Sequence, residues 1–244
     1  MSKSENTIVI TGASSGIGLG LAEAFLREGY NVVGTGRSSE RLQAVAVRLN
    51  AGERFLGVAG DVGSPDTARD VFAQAVERYG HVDVLVNNAG IFAVKPFVDF
   101  TPQEVEEQIA TNLKGVLYMS QQAARHMGER GRGRIINITA SLAMQPHGSV
   151  PALLAVALKG GLNQATRALA LELAPKGVTV NAVAPGVTAT PMHPADTHAA
   201  LGSMHPLGRI ARIDEITAAV RYLVGADFVT GTVLPVDGGF SAGR

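Results

Sequence analysis

Glycines 12, 16 and 18 come first among the residues whose types and spacing could do chemistry. In the segment TGASSGIG, Gly12, Gly16 and Gly18 stand where an apolar run gives way to a helical pattern. Without side chains, such a turn lets backbone amides approach a diphosphate, which the next helix meets with free N–H groups and the positive end of its dipole. A glycine-rich turn can be purely structural, but its place after the first strand-like run favours dinucleotide binding. Farther along, Arg37 follows the second strand-like run, and none of residues 34–39 is acidic. A carboxylate there would hydrogen-bond the adenosine ribose 2′-hydroxyl of NAD, whereas a guanidinium pairs with the additional phosphate of NADP. NADP(H) is therefore expected over NAD(H), the alternative being a surface arginine facing water. No metal site is expected: the chain has no cysteine, and His193, His198 and His205 lie on a proline-broken stretch with no carboxylate or thiolate cluster.

These groups need a frame. Strand-like runs at 6–11, 31–36, 54–59, 82–87, 134–139, 178–183 and 232–237 alternate with helix-like runs. Most are continuously apolar, as strands covered on both faces should be, so the pattern predicts an α/β fold with a parallel sheet between helices. Residues 19–28 read as an amphipathic helix after the glycine turn. In the run at 64–80, Ser64 can cap, Pro65 suits the first turn, Val71, Phe72 and Ala75 recur at helical spacing, and Gly80 ends it. Another helix starts at Asp214 and sets Ile216, Ala219, Val220 and Leu223 on one face. Pro235 cannot donate to a ladder, which predicts an edge strand. Residues 188–212 break the rhythm and read as an excursion over a ligand site.

No Pro/Ser-rich or charged linker divides the 244 residues, so one domain spanning 1–244 is expected. A composition 46% hydrophobic and 17% charged supports a large core rather than disorder. Basic and acidic residues balance at 21 each, so no net field draws the chain to nucleic acid or an anionic membrane. The basic stretch 125–134 is glycine-rich and reads as a solvated turn. Residues 150–173 are apolar but interrupted by Lys159, Gly160, Gly161, Asn163, Gln164 and Arg167, which favours a buried helix over a membrane span. The N-terminal residues lack a charged start followed by a long apolar run, so a cytoplasmic protein is expected.

The ordered set TGASSGIG, GDV at 60–62, NNAG at 87–90, TNLKG at 111–115, KGGLN at 159–163, VNAVAPG at 180–186 and the C-terminal FVTGTVLPVDGGFSAG resembles the short-chain dehydrogenase/reductase family over essentially the whole chain. The resemblance implies a Rossmann-type, doubly wound seven-stranded parallel sheet in three αβα layers. It implies a nicotinamide cofactor held by Gly12, Ser14, Ser15, Gly16, Ile17 and Gly18, with Arg37, Asp61 and Val62 at the adenosine end. Asn88, Ala89 and Gly90 would support the first strand and the cofactor, and Pro185, Gly186, Thr188 and Thr190 would hold the nicotinamide end. It also implies a small-molecule carbonyl or alcohol substrate and a homo-oligomer, dimer or tetramer. The subunits would meet through two long helices at 102–127 and 151–174, with the C-terminal edge strand as a second contact.

In that family a tyrosine hydroxyl gives the carbonyl oxygen a proton, and a lysine lowers the tyrosine pKa from about 10 and grips the ribose. A serine orients the carbonyl, and an asparagine holds a water linked to the lysine. Here Asn112 matches the asparagine and Lys159 the lysine. Ala140 falls in the most direct register of the serine, with Ser141 one residue later. Ala155 stands where the tyrosine would be, and a methyl group cannot carry a proton. Tyr30, Tyr79, Tyr118 and Tyr222 are poorly placed to substitute. His147, in the loop before the lysine helix, could reach the pocket, and an imidazole suits proton transfer, although a lone histidine beside Pro146 and Gly148 is more often plain loop. The expectation is an NADP(H)-dependent oxidoreductase whose proton comes from water held by Asn112 and Lys159, or from His147. The alternative is a non-catalytic nucleotide-binding protein that regulates a partner. A laboratory substitution at Ala155 is disfavoured, because Leu153, Leu154, Val156 and Leu158 make the whole turn apolar. Such a turn predicts a dry substrate pocket.

Overall fold

The strand-like runs associate side by side because most are largely apolar on both faces and cannot be left half in water. In the computed structural model, which describes residues 6–243, they form strands β1 (Thr7–Thr11), β2 (Asn31–Gly36), β3 (Phe55–Ala59), β4 (Val84–Asn87), β5 (Gly133–Ile138), β6 (Val178–Pro185) and β7 (Val233–Val236). Residues 1–5, on which part of the cytoplasmic expectation rests, lie outside the described residues. All six strand pairings are parallel, and the order is β3-β2-β1-β4-β5-β6-β7. The chain therefore winds outward from β1 to β3, then crosses back to β4 on the other side of β1. That reversal opens a crevice beyond the carboxyl ends of β1 and β4, the place where such sheets take ligands.

The helices are α1 (Gly16–Arg27), α2 (Ser39–Leu49), α3 (Pro65–Tyr79), α4 (Pro102–Ile109), α5 (Gly115–Arg130), α6 (Leu153–Leu173), the short α7 (His198–Gly202) and α8 (Ile213–Gly225). Side chains alternate across the sheet, and β1 shows the result. Ile8 and Ile10 join Leu21 and Phe25 of α1 and Val220 of α8 in one core. Val9 faces the other core, with Val71 and Phe72 of α3, Met119 and Met127 of α5 and Leu173 of α6. Each such side chain, fully buried, contributes about 1.5–3 kcal/mol.

The helix signals hold at their starts and stops. Ser64 accepts from the Asp66 amide at 3.3 Å, Pro65 begins α3, and Gly80 ends it in the left-handed region. Thr101 and Glu104 form a reciprocal capping box on α4. Two long elements differ from expectation. The glycine turn is shorter than read, because α1 begins at Gly16 rather than at 19. The helix expected over 102–127 is interrupted by a π turn, Ala110–Lys114, which carries Asn112. A π turn shifts the helix phase locally and is common where a side chain must be aimed at a site.

The basic stretch 125–134 is not an open turn. Arg130 closes α5, and Arg130 and Arg132 lie 3.2 and 3.5 Å from Asp83. Arg134 pairs with Asp227. At the far side of the sheet, Pro235 lies in the edge strand β7, as expected. The amides of Ala182 and Gly186 bond the carbonyls of Thr232 and Val236, so even-numbered β7 residues face β6 and Pro235 faces outward. Among the described residues, no helix is long and apolar enough to cross a membrane.

A buried polar chain braces the middle of the sheet against the helices that carry the site. Asn87 of β4 donates to Ser120 of α5 at 3.0 Å and to Asn137 of β5 at 2.9 Å. Asn137 donates to Thr166 of α6 at 2.9 Å, and Thr166 donates to the Leu162 carbonyl at 2.8 Å. Paired polar groups of this kind are costly to break, which fixes the phase of α6 and of every side chain on it.

Candidate active site

A cleft of about 1080 Å³ runs along the carboxyl ends of the strands. Its floor starts at the glycine turn. Gly12 and Gly16 have φ of +68° and +54°, a region that favours glycine. Ser15 precedes α1 in extended geometry and makes no side-chain cap, and the first turn holds no acidic residue. The leading amides of α1 are thus left for an anion. Gly12, Ser14, Ser15, Gly16 and Ile17 line the cleft. Gly18 does not; it packs behind them, where a Cβ would lie 2.3 Å from the Gly12 carbonyl oxygen.

Asn88, Ala89 and Gly90 brace this turn from β4. The Asn88 and Ala89 amides both donate to the Thr11 hydroxyl at 2.9 Å, and Asn88 Nδ2 donates to the Thr11 carbonyl at 2.9 Å. At the β2 end, Arg37 and Arg41 both line the cleft, beside Ser14. Neither guanidinium has a carboxylate partner among the described residues. Arg41 escaped the sequence reading, although it lies one helical turn beyond Arg37. Asp61 is exposed at the cleft and accepts from the Gly63 amide at 2.8 Å; Val62 beside it is buried. A bare-amide turn, an open helix start and two uncommitted guanidiniums fit a phosphorylated dinucleotide.

The other half of the cleft carries Asn112, Ser141, Ala155 and Lys159. Asn112 is 1% exposed and its amide is committed: Oδ1 accepts from the Ile91 amide at 3.0 Å, while Nδ2 donates to the Ile91 carbonyl at 2.9 Å and to Gln108 at 3.2 Å. It therefore holds the loop after β4. Gly90 separates it from Lys159, since a Cβ there would meet Asn112 Oδ1 at 3.0 Å and Lys159 Nζ at 3.4 Å. Lys159 donates to the Ile138 carbonyl at 2.9 Å. Burial holds its ammonium at about 8, far below an ordinary lysine. Ser141 is buried and lines the cleft at the start of a short 3-10 turn; Ala140, in extended geometry, lines it too. Ala155 sits one helical turn before Lys159 and is buried against the cleft.

No tyrosine is among the described residues that line the cleft. Tyr30 packs edge-on against Phe25, Tyr118 against the second core, and Tyr222 is exposed. Tyr79 donates to the Glu53 carbonyl at 2.8 Å, and burial raises its pKa further. His147 does not line the cleft. Its ring rests against Phe240 at 5.9 Å, and its Nδ1 lies 2.8 Å from the Ser149 hydroxyl. Ser149, which the sequence reading passed over, does line the cleft.

Pro185, Gly186, Thr188 and Thr190 line the cleft where β6 ends. The excursion at 188–212 does lie over it, contributing Met192, His193, Leu201 and Met204. Its two ends are tied together, Ala189 donating to Ala211 and Ala211 to Val187, both at 2.8 Å. The three histidines there do not converge. His205 is buried, accepting from the Val187 amide and bonded to the Asp237 carbonyl at 2.7 Å; His198 bonds the His193 carbonyl at 2.9 Å. Burial and the neighbouring His198 lower the pKa of His193. No group of three or more His, Asp or Glu among the described residues is arranged to hold a metal.

Comparison with known proteins agrees with this geometry. Residues 6–200 match the family described as short chain dehydrogenase. The chain is 37% identical to cis-4-hydroxycyclohexanecarboxylate dehydrogenase from Sinomonas cyclohexanicum, over 98% of this chain and 97% of that protein. Among solved structures, a variant of the actinorhodin polyketide ketoreductase with NADPH superposes with a TM-score of 0.92 at 36% identity, covering 99% of both chains. A 3-ketoacyl-(acyl-carrier-protein) reductase from Brucella melitensis complexed with NADH gives 0.90 at 32% identity, covering 98% of this chain and 100% of that one.

Proposed function

This chain belongs to the short chain dehydrogenase family, and from that premise we propose that it is an oxidoreductase acting between NADP(H) and a small carbonyl or alcohol substrate, with an unusual proton donor. The observation that carries this is one continuous cleft joining the bare-amide turn, Arg37 and Lys159. Related proteins are named dehydrogenases and reductases, and solved relatives hold NADPH or NADH, which supports a nicotinamide cofactor. When bound, that cofactor supplies or accepts hydride at the substrate carbon.

The residues of the chain do the rest. Gly12, Ser14, Ser15, Gly16 and Ile17 bind the diphosphate, Gly18 and Asn88 to Gly90 hold that turn in shape, and Asp61 and Val62 border the adenine. Pro185, Gly186, Thr188 and Thr190 clamp the nicotinamide end. Lys159 holds the ribose, Ser141 orients the substrate oxygen, and Asn112 fixes the loop between them. The proton passes through water on Lys159 or through His147, because Ala155 has none to give. The reading takes 1–244 as one domain in a cytoplasmic homo-oligomer, dimer or tetramer. Exposed apolar side chains on the long helices, Leu117 and Leu171 among them, support subunit contacts there.

Arg37 and Arg41 favour NADP(H). Replacing Arg37→Asp should weaken NADPH binding about 10- to 100-fold, through loss of a charge-assisted hydrogen bond and addition of a repulsion. NADH binding should change little, and titration calorimetry with both nucleotides reads the difference. Equal losses for the two would remove the phosphate from Arg37.

Ala155→Tyr separates catalysis from mere binding. A tyrosine there lies on the same helix face as Lys159. If another group already donates the proton, turnover should change by less than about ten-fold. The absence of tyrosine around the cleft also supports a second reading, a nucleotide-binding protein without turnover. Activity seen only in Ala155→Tyr would favour that one.

A further inference from the structure

The loop between β5 and α6 carries a pair that sequence spacing hides. His147 Nδ1 lies 2.8 Å from the Ser149 hydroxyl and 3.3 Å from the Ser149 amide nitrogen. The amide can only donate, so Nδ1 is an acceptor, and the neutral ring carries its proton on Nε2. The hydroxyl proton of Ser149 consequently points at the imidazole, leaving the oxygen lone pairs free to accept. The ring is held against Phe240, which also lines the cleft. The loop closes on itself, the Val150 amide donating to the His147 carbonyl at 3.0 Å, and is anchored by the Lys95 backbone amide donating to the Pro151 carbonyl at 2.9 Å. Ser149 faces the cleft that Ala155, Ser141 and Lys159 line, while His147 stands behind it, partly open to water. The Ser141 hydroxyl has no imidazole or carboxylate beside it among the described residues, so the pair at 147–149 is better equipped to move a proton.

We propose that Ser149 and His147 form a proton relay for the cleft, Ser149 taking the hydroxyl proton of an alcohol substrate while passing its own to His147. This rests on the oxidoreductase function above and names its proton carrier. The alcohol O–H bond breaks and its proton goes to Ser149 Oγ, whose own proton goes to His147 Nδ1. The C–H bond breaks with both electrons, leaving as the hydride that NADP⁺ accepts, and the C=O bond forms. The imidazolium returns to neutral by releasing one proton to water. Carbonyl reduction runs the same transfers backwards and starts from the imidazolium. Ser149 is the group touching substrate; His147 acts through it.

The experiment compares the parent chain with Ser149→Ala and His147→Ala, using NADP⁺ and a panel of small neutral alcohols. Nucleotide binding, followed by calorimetry, should be unchanged in both variants. Turnover should fall about 10²- to 10⁴-fold in each, and the double variant should lose no more than either single one. Free imidazole should restore part of the activity of His147→Ala and none to Ser149→Ala, a result that a purely structural role would not give. In the parent complex with NADP⁺, adding an alcohol should shift the His147 ring resonances in NMR spectra, and Ser149→Ala should abolish the shift. Variants within about three-fold of the parent overturn the relay. A parent that binds NADP⁺ but oxidises nothing also overturns it, while leaving the nucleotide site standing. Failure to bind either nucleotide removes the function beneath it.

Discussion

Gly18→Ala should abolish NADPH binding and lower the melting temperature, although alanine normally outperforms glycine inside a helix by about 1 kcal/mol. The reversal of sign comes from packing. A Cβ at Gly18 would lie 2.3 Å from the Gly12 carbonyl oxygen and 2.6 Å from Asn88 Nδ2. Neither is the flexible end of a long side chain, so α1 must move away from the turn. Gly12 has little room to follow, because it is itself packed close to Ala89: even a Cβ built on it would lie 3.0 Å from the Ala89 Cα. The overlap should cost about 1–3 kcal/mol or more, which in a chain of this size is roughly 2–10 °C. It should also spoil the alignment of the leading α1 amides. Gly161→Ala is the control: nothing lies within 4 Å of a Cβ built there, and the same exchange should stabilise. Calorimetry and thermal melts read both quantities. Undiminished nucleotide binding by Gly18→Ala would mean that the turn does not cradle the diphosphate.

Lys159→Met should cost activity and gain stability. Removing the ammonium takes away the proposed grip on the ribose, and turnover should fall about 10²- to 10⁴-fold. The stability effect has the opposite sign. Burial lowers the Lys159 pKa from 10.5 to about 8. Below pH 8 the folded chain carries a charge that the unfolded chain solvates better, a penalty of up to roughly 3 kcal/mol. As the pH climbs from about 8 to 10.5, the folded group is neutral while the unfolded one still binds a proton, so the penalty fades and the parent gains stability. Loss of the hydrogen bond to Ile138 and partial exposure of the side chain reduce the benefit. At pH 7 the variant should exceed the parent by roughly 1 kcal/mol, and the gap should close by about pH 10. Denaturant unfolding at the two pH values tests this. A gap independent of pH would show that Lys159 is not held in its strained, desolvated state.

The strand pattern was legible because a strand buried on both faces must be largely apolar; β1 and β6 are buried along their whole length and carry few polar residues, Thr179 and Asn181 among them. The glycine turn was legible because positive φ and close backbone approach exclude other residues. The π turn at 110–114 was not, since nothing in a helical spacing distinguishes a bond to the fourth residue from one to the fifth. Ser149 and Arg41 were hidden for a related reason. A loop serine and a helix-surface arginine carry no periodic signal, and only the closure of the fold brings them to the cleft. Whether His147 reaches the pocket was not legible, because sequence distance says nothing about which way a ring turns. Ser141 and Ala140 both line the cleft, so the register left open in the sequence corresponds to two neighbouring positions on one wall.

Pro235 bears on how copies of this chain can meet. Facing outward from β7, it leaves the rim of the sheet one donor short at its midpoint, and the rigid ring stands where an incoming strand would dock. Continuous hydrogen-bonded recruitment of further chains along that rim is thereby blocked. A neighbour on this side would have to be met by side chains rather than by an added strand.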